Sequence, residues 1–247
     1  MVYLDAVLIM NWYALILGIA ASLGCWAVAR KAQQSQAAHF VTLSLITLLG
    51  CLVGARLAYF ALHFAYYAQH LIEVPQFWLG GLSWPGAFLG GALTILAIAL
   101  WQKIPVPRLA DNLAHLFPPL SIGLWLGCWQ AGCAYGELIP GGAWWALPIR
   151  DETGAIASRV PLQLAAALFL LFFFLILEAR TSLFDRPGQL ASMTALGLSL
   201  NALFFSVFRA DAMIIYGVRI DLIASTIFVF LSMALAALAF RPHALVR

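Results

Sequence analysis

Seven stretches of this chain, each about twenty residues long, carry almost no charge, and nothing else in the sequence limits its fold as strongly. They are Val7–Ala29, Phe40–Leu62, Leu82–Trp101, Leu113–Tyr135, Val160–Leu177, Leu190–Phe208 and Leu222–Phe240. About 20 apolar residues in a helix cover the ~30 Å hydrocarbon core of a bilayer, so each stretch is long enough to cross it. None shows the ~10-residue alternating pattern of a membrane barrel, so they read as helices. Composition agrees, with 64% hydrophobic and 9% charged residues, where soluble domains have roughly 45–50% and about 25%. So few charges cannot solvate a surface, which excludes a soluble domain. A net charge of +3 is too small to suggest a nucleic-acid partner. The expected fold class is all-α: a polytopic, multi-pass membrane protein with about seven transmembrane helices.

The third and fourth stretches contain Pro85, Pro118 and Pro119, which are tolerated in a span only where neighbouring groups satisfy the freed carbonyls. The fourth also opens on Asp111, Asn112 and His115. Basic residues then orient the chain. Arg30, Lys31, Lys103, Arg108, Arg180, Arg186, Arg241 and Arg247 fall on one side, and Arg150, Arg159, Arg209 and Arg219 on the other. This bias places the C-terminus in the cytoplasm and, with seven spans, the N-terminus outside. Asp5 precedes the first apolar run and no basic leader region is present, so the first span is expected to remain in the mature protein. No internal repeat or linker interrupts the chain. The expectation is one transmembrane domain, 1–247, with a small extracytoplasmic segment at 136–159.

Polar residues in such a chain are the functional clues. Arg56 lies inside the second span, where a charge costs ~2.5–3.5 kcal/mol at the membrane centre on insertion scales and is by default functional. Arg159, Arg209 and Arg219 gather with it at the outer ends of spans, accompanied by Asp211 and Asp221. A guanidinium offers a planar fork of donors suited to phosphate, so these residues suggest a phospholipid headgroup pocket. Arg209 is the favoured anion ligand, and Arg219 with Asp221 is expected to form a pair that ties loops. His63 follows Arg56 by seven residues on the same helix face and is a candidate base. Gly86, Gly90 and Gly91, then Gly123 with Gly127 and Gly132 with Gly136, repeat a small-xxx-small spacing that lets helices approach closely. Cys128 and Cys133 would lie about 140° apart on a regular helix, which predicts neither a disulfide nor a shared metal. No metal-ligand spacing is present and no cofactor is implied. No inverted repeat with paired broken helices points to a transporter.

Several motifs in order resemble the prolipoprotein diacylglyceryl transferase family over nearly the whole chain. They are Trp12-Tyr13, Gly54-Ala55-Arg56-Leu57 with Tyr59, Gly81-Leu82-Ser83 running to Gly90, and the Gly-Cys-rich stretch ending in Gly136-Glu137. Arg159, Pro161, Gln163 and Leu164 follow, then Phe208-Arg209 with Asp211. The resemblance implies a bacterial inner-membrane enzyme of lipoprotein biosynthesis that moves diacylglyceryl from phosphatidylglycerol to the lipobox cysteine thiol of a preprolipoprotein. It implies Arg209, Tyr13 and Glu137 as catalytic residues and Arg56, Arg159 and Gln163 as substrate-binding residues. The implied partners are phosphatidylglycerol or another anionic phospholipid, the preprolipoprotein signal peptide and the membrane, with no cofactor, metal or nucleic acid. The sequence also departs from the family. Ser83-Trp84-Pro85-Gly86-Ala87 holds no histidine where the third-span motif has one, and Leu124-Trp125-Leu126-Gly127-Cys128 replaces the form Gly-Arg-x-Gly-Asn. The alternative is a phospholipid- or partner-binding membrane protein that kept the fold without catalysis.

Overall fold

A computed structural model describes residues 2–215 and 217–241, without the side chains of residues 2–11, Leu79 and Ile215. Arg247, and the side chain of Asp5, lie outside what it describes. Nine α-helices are described: α1 (Val2–Lys31), α2 (Ala37–Leu62), α3 (Phe64–Tyr67), α4 (Trp84–Gln102), α5 (Val106–Ala114), α6 (Phe117–Ala131), α7 (Leu162–Ala179), α8 (Gln189–Ser206) and α9 (Ile220–Ala239). Two short antiparallel pairs complete it, β1 (Leu147–Arg150) with β2 (Ile156–Arg159), and β3 (Ile214–Ile215) with β4 (Val218–Arg219).

A helix lies in each of the seven apolar stretches, but not all reach membrane length and apolarity. Five do: Trp12–Lys31, Gln34–Leu62, Trp84–Gln102, Leu162–Ala179 and Ile220–Ala239. α6 has only 15 residues. α8 is diluted by buried polar side chains, among them Gln189, Ser192, Thr194, Ser199 and Asn201. Proline explains where two helices begin. Pro85 and Pro118 occupy the first turns of α4 and α6, where a missing N–H costs no hydrogen bond. The chain from Leu113 to Leu116 is therefore not the start of the fourth long helix. Its first two residues close the separate short α5, on which Leu109 and Leu113 are fully buried and Arg108 and Asn112 exposed.

The chain divides into two compact units. In the first, Val28–Leu113, α2 packs along α4 through glycines on both helices. A Cβ on Gly54 would stand 2.4 Å from the Gly86 carbonyl oxygen and 2.7 Å from the Gly90 Cα, and one on Gly90 would stand 2.3 Å from the Gly50 carbonyl oxygen. Backbones in such contact have no room for any side chain, which is the close approach that small residues permit between membrane helices.

The second unit joins α1 up to Ala27 with the chain from Ala114 onward. Gly123 of α6 faces Ala20 of α1, and Gly127 faces the Tyr13 ring. α7 and α8 meet through Leu162, Ala166 and Phe205, with Trp125 of α6 packed against them. Polar contacts between helices are few but internally satisfied. Trp125 Nε1 donates to Asn201 Oδ1 at 2.9 Å, Asn201 Nδ2 donates to the Ala166 carbonyl at 3.1 Å, and the Ser199 and Ser232 hydroxyls meet at 3.2 Å.

Gly54→Leu should therefore destabilise the α2–α4 pair by about 1–3 kcal/mol, the usual cost of overpacking a filled interface. Gly18→Leu, at a position with nothing within 4 Å, should stay within about 0.5 kcal/mol. Unfolding midpoints in detergent compare the two, and equal midpoints would remove the glycine contact as a determinant of this unit.

Candidate functional site

Arg56 is the buried charge of the Val28–Leu113 unit, with 7% of its surface exposed. It does not present an open fork. Nε donates to the Val74 carbonyl at 2.7 Å, Nη1 to those of Gly80 and Gly81 at 2.7 and 3.0 Å, and Nη2 to that of Glu73 at 2.5 Å. Its guanidinium carbon also lies 5.2 Å from the centroid of the buried Tyr67 ring. The loop after α2 is irregular, and one cation placed by a regular helix satisfies four of its carbonyls. Gly81, with φ of 72°, has no space for a Cβ, which would meet Arg56 Nη1 at 2.6 Å and the Tyr59 ring at 2.7 Å.

Beside it, the His63 ring stacks on Tyr59 with centroids 4.0 Å apart, and its Nδ1 lies 2.9 Å from the Tyr59 carbonyl. His70 repeats this arrangement on Tyr66, at 4.4 and 3.0 Å. Nδ1 donating to a carbonyl leaves Nε2 as the basic nitrogen in both rings. The Tyr66 hydroxyl donates to Glu73 Oε2 at 2.9 Å, which raises the tyrosine's pKa.

In the other unit the remaining polar residues surround the turn that follows α6. α6 ends at Ala131 because Gly132 is left-handed, with φ of 72°, and a Cβ there would strike the Asp151 carbonyl oxygen at 2.5 Å. That break overturns the regular-helix expectation for the cysteines. The chain doubles back, bringing the Cα atoms of Cys128 and Cys133 to 4.7 Å, and the two are joined as a disulfide.

The turn then binds each polar group around it. Ala134, left-handed at φ 52°, donates its N–H to Asp211 Oδ2 at 2.7 Å. Gln163 Nε2 donates to the Cys133 carbonyl at 3.0 Å, and Ala210 N–H to that of Tyr135 at 2.9 Å. Gly136 forms a β-bridge with Arg209 and accepts from Arg159 Nη1 at 3.5 Å. Glu137 itself is exposed and accepts at its carbonyl from Val160 N–H at 3.1 Å.

Arg209 is balanced by two carboxylates. Arg209 Nε and Nη2 donate to the two oxygens of Asp211 at 2.9 and 3.1 Å, and Nη1 lies 3.2 Å from Asp221 Oδ2. Burial opposes the Arg209 charge, but the two carboxylates outweigh it and raise its pKa. Asp221 thus pairs with Arg209 and not with Arg219 as expected. Arg219 instead donates to the carbonyls of Val207 and Arg209.

Arg159, 7% exposed, donates from Nη2 to Asp151 Oδ2 at 2.9 Å and lies 4.5 Å from the Tyr135 ring centroid. The other Asp151 oxygen accepts from the Thr153 hydroxyl, the Thr153 N–H and the Ala155 N–H, closing the β1–β2 turn. The Thr153 hydroxyl leads in holding this carboxyl below the usual aspartate range. Among the described residues, two buried polar atoms have no protein partner, Arg159 Nε and Gln163 Oε1. Among the described residues, no three His, Cys, Asp or Glu side chains gather as a metal site.

A family model described as prolipoprotein diacylglyceryl transferase matches residues 2–238. The chain belongs to this family. Among curated relatives, the phosphatidylglycerol–prolipoprotein diacylglyceryl transferase of Thermosynechococcus vestitus is 28% identical over 233 residues, covering 88% of this chain and 84% of that one. Its namesake in Beijerinckia indica subsp. indica is 30% identical over 222 residues, covering 81% and 77%. That of Acidiphilium cryptum is 32% identical over 169 residues, covering 65% and 60%.

Of the diacylglyceryl transferase residues expected from the sequence, Arg159, Gln163, Arg209 and Glu137 meet at one turn, and Tyr13 packs on Gly127 one residue before the disulfide. Arg56 belongs to the other unit and organises its loop. The sequence reading missed Asp151, the Asp221–Arg209 pair and the disulfide. Asp151-Glu152-Thr153-Gly154 is a turn signature, and a glycine between two cysteines signals a helix stop.

Arg56→Lys separates a carbonyl clamp from a phosphate ligand. Lysine is a point donor and cannot span four carbonyls, so the variant should lose on the order of 3 kcal/mol and expose 71–83 to protease. Wild-type stability and protease resistance would contradict the clamp.

Proposed function

We propose that this chain moves the diacylglyceryl group of phosphatidylglycerol onto the lipobox cysteine thiol of a preprolipoprotein, releasing glycerol phosphate. The observation that carries this reading is family membership across residues 2–238, with transferase relatives aligned over most of their length. The setting is a bacterial inner membrane. The chain forms a single domain with seven crossings, its N-terminus and the 136–159 segment outside and its C-terminus in the cytoplasm.

The chemistry sets what the site residues must do. The thiol loses its proton, its sulfur attacks the glycerol carbon, and the carbon–oxygen bond to phosphate breaks with the electron pair leaving on oxygen, the proton ending on the released glycerol phosphate or in water. Fixed cations stabilise that developing charge best, because they need no reorganisation at the moment of reaction. Arg209 takes this role, with Arg159 and Gln163 holding substrate and Tyr13 and Glu137 completing the catalytic set. Arg159 is paired with Asp151, and Arg209 with Asp211 and Asp221, so carboxylates already offset both charges. A phosphate must therefore compete with carboxylates for the Arg209 fork, which favours the state in which negative charge is greatest.

Purified protein in detergent, given phosphatidylglycerol and a lipobox peptide, should release glycerol phosphate. No release under conditions where an authentic relative works would sink the reading. Arg209→Ala should lower turnover on the order of 10²-fold, as loss of one oxyanion donor does elsewhere. An unchanged rate would reject its role.

A second reading, binding without catalysis, draws on one observation. Trp125 stands where the family motif carries arginine, and its ring nitrogen is spent on Asn201 inside the helix bundle. Phospholipid that copurifies in an Arg209-dependent way without turnover would favour it.

A further inference from the structure

The Cys128–Cys133 bond closes the loop from which the site residues of this unit are held. Gly127, one residue before it, carries the Tyr13 ring, and Cys133, at its other end, accepts from Gln163. The next three residues hold Asp211, Ala210, Arg209 and Arg159 through backbone groups. Asp211 in turn grips Arg209, and Asp151, above Gly132, grips Arg159.

Within the turn itself, few backbone bonds fix that end. The Gly132 and Cys133 N–H groups both share the Cys128 carbonyl, and Ala134 sits in a left-handed conformation that costs a non-glycine residue roughly 1–2 kcal/mol. A turn with a shared acceptor and a strained residue depends on ties from outside it, and the disulfide is the covalent one beside the hydrogen bonds of Gln163, Asp211 and Ala210. Both cysteines are partly exposed, so the tie is not sealed inside the core of its unit. Cys128 also stands where the family motif has asparagine, so a covalent link occupies a position the family fills with a polar side chain.

We propose that the Cys128–Cys133 disulfide is a positioning element for the transferase site, and that a dithiol reductant switches the site off by opening it. The inference rests on the transferase reading. In the reduction a thiolate of the dithiol attacks one sulfur, forming a mixed disulfide, and its second thiol displaces it. The reductant leaves as a disulfide, and two electrons and two protons end on Cys128 and Cys133 as thiols. A disulfide oxidant reverses the exchange. With the turn released, Arg209, Arg159 and Gln163 lose a common reference, and small displacements of positioning groups are expensive in rate.

The test uses the full chain with Cys25→Ala and Cys51→Ala, so that one pair alone responds. The protein is reduced with dithiothreitol, freed of it without oxygen, and assayed with phosphatidylglycerol and a pre-reduced lipobox peptide. Hydrogen exchange is followed in parallel, because it reports the turn whether or not turnover occurs. Reduction should cut glycerol phosphate release by at least about tenfold and speed exchange at the Ala134, Val160 and Ala210 amides. The amides of α8 and α9 should stay protected, and reoxidation should restore both signals. Cys128→Ser/Cys133→Ser should match the reduced protein and ignore reductant. A reduced chain that keeps its rate and exchange pattern would overturn the proposal while leaving the transferase reading intact. Absence of release from the oxidised chain would overturn both, whatever the exchange shows.

Discussion

Irregular backbone at the edge of an apolar bundle must be satisfied from within the protein, and this structure meets that demand with buried side chains that carry charge or amide groups. Regular helices consume their own N–H and C=O groups, but the chain after α2 and the chain after α6 do not. After α2, Arg56 donates to four carbonyls between Glu73 and Gly81. After α6, Gln163 and Asp211 take up the Cys133 carbonyl and the Ala134 N–H. Removing any of these would leave backbone groups unpaired where water is scarce, a penalty of ≈ 1–3 kcal/mol for each buried group.

This constraint changes how the charges are to be weighed. An arginine inside a span invites a reading as a ligand for phosphate, yet Arg56 is committed to carbonyl oxygens. Arg159 and Arg209 are committed to aspartates, and their partners make the surroundings neutral instead of basic. A neutral, hydrogen-bonded cluster attracts a neutral or singly charged lipid headgroup weakly at rest. In the proposed transferase reaction, such a cluster stabilises a phosphate ester that gains charge by exchanging a carboxylate contact for a phosphate one. Arg219, whose donors lie on the Val207 and Arg209 carbonyls, fixes the backbone of that same segment.

Much of this was legible in the sequence because it depends on local pattern. Apolar length located a helix in each of the seven stretches, and family motifs gathered Arg159, Gln163, Arg209 and Glu137 before any geometry placed them at one turn. The ends of elements were less legible. Pro85 and Pro118 read as interruptions because their positions relative to the helix starts were unknown, whereas in first turns they cost nothing. The Cys128–Cys133 spacing was judged on a continuous helix, and one left-handed glycine between them reversed the outcome. The pairing of Asp221 with Arg209 rather than Arg219 depends on how α9 meets the end of α8, which sequence proximity does not encode. The packing role of Gly50 and Gly54 was not legible because it lies in facing Gly86 and Gly90 across a helix pair.

The departures of α6 from the family pattern also follow one physical logic. A helix carrying arginine and asparagine toward a polar site must leave room and partners for both. Here Trp125 fills the arginine position with apolar volume against Leu162, Ala166 and Phe205, and returns its N–H to Asn201, itself tied to the Ala166 carbonyl. α6 thereby becomes part of the packed core of its unit and ceases to offer a cation. Cys128 converts the asparagine position from a polar contact into a covalent one. The burden of charge in this unit passes to the ends of β2 and α8, where Arg159 and Arg209 reside. What α6 retains is the placing of the turn from which both are held.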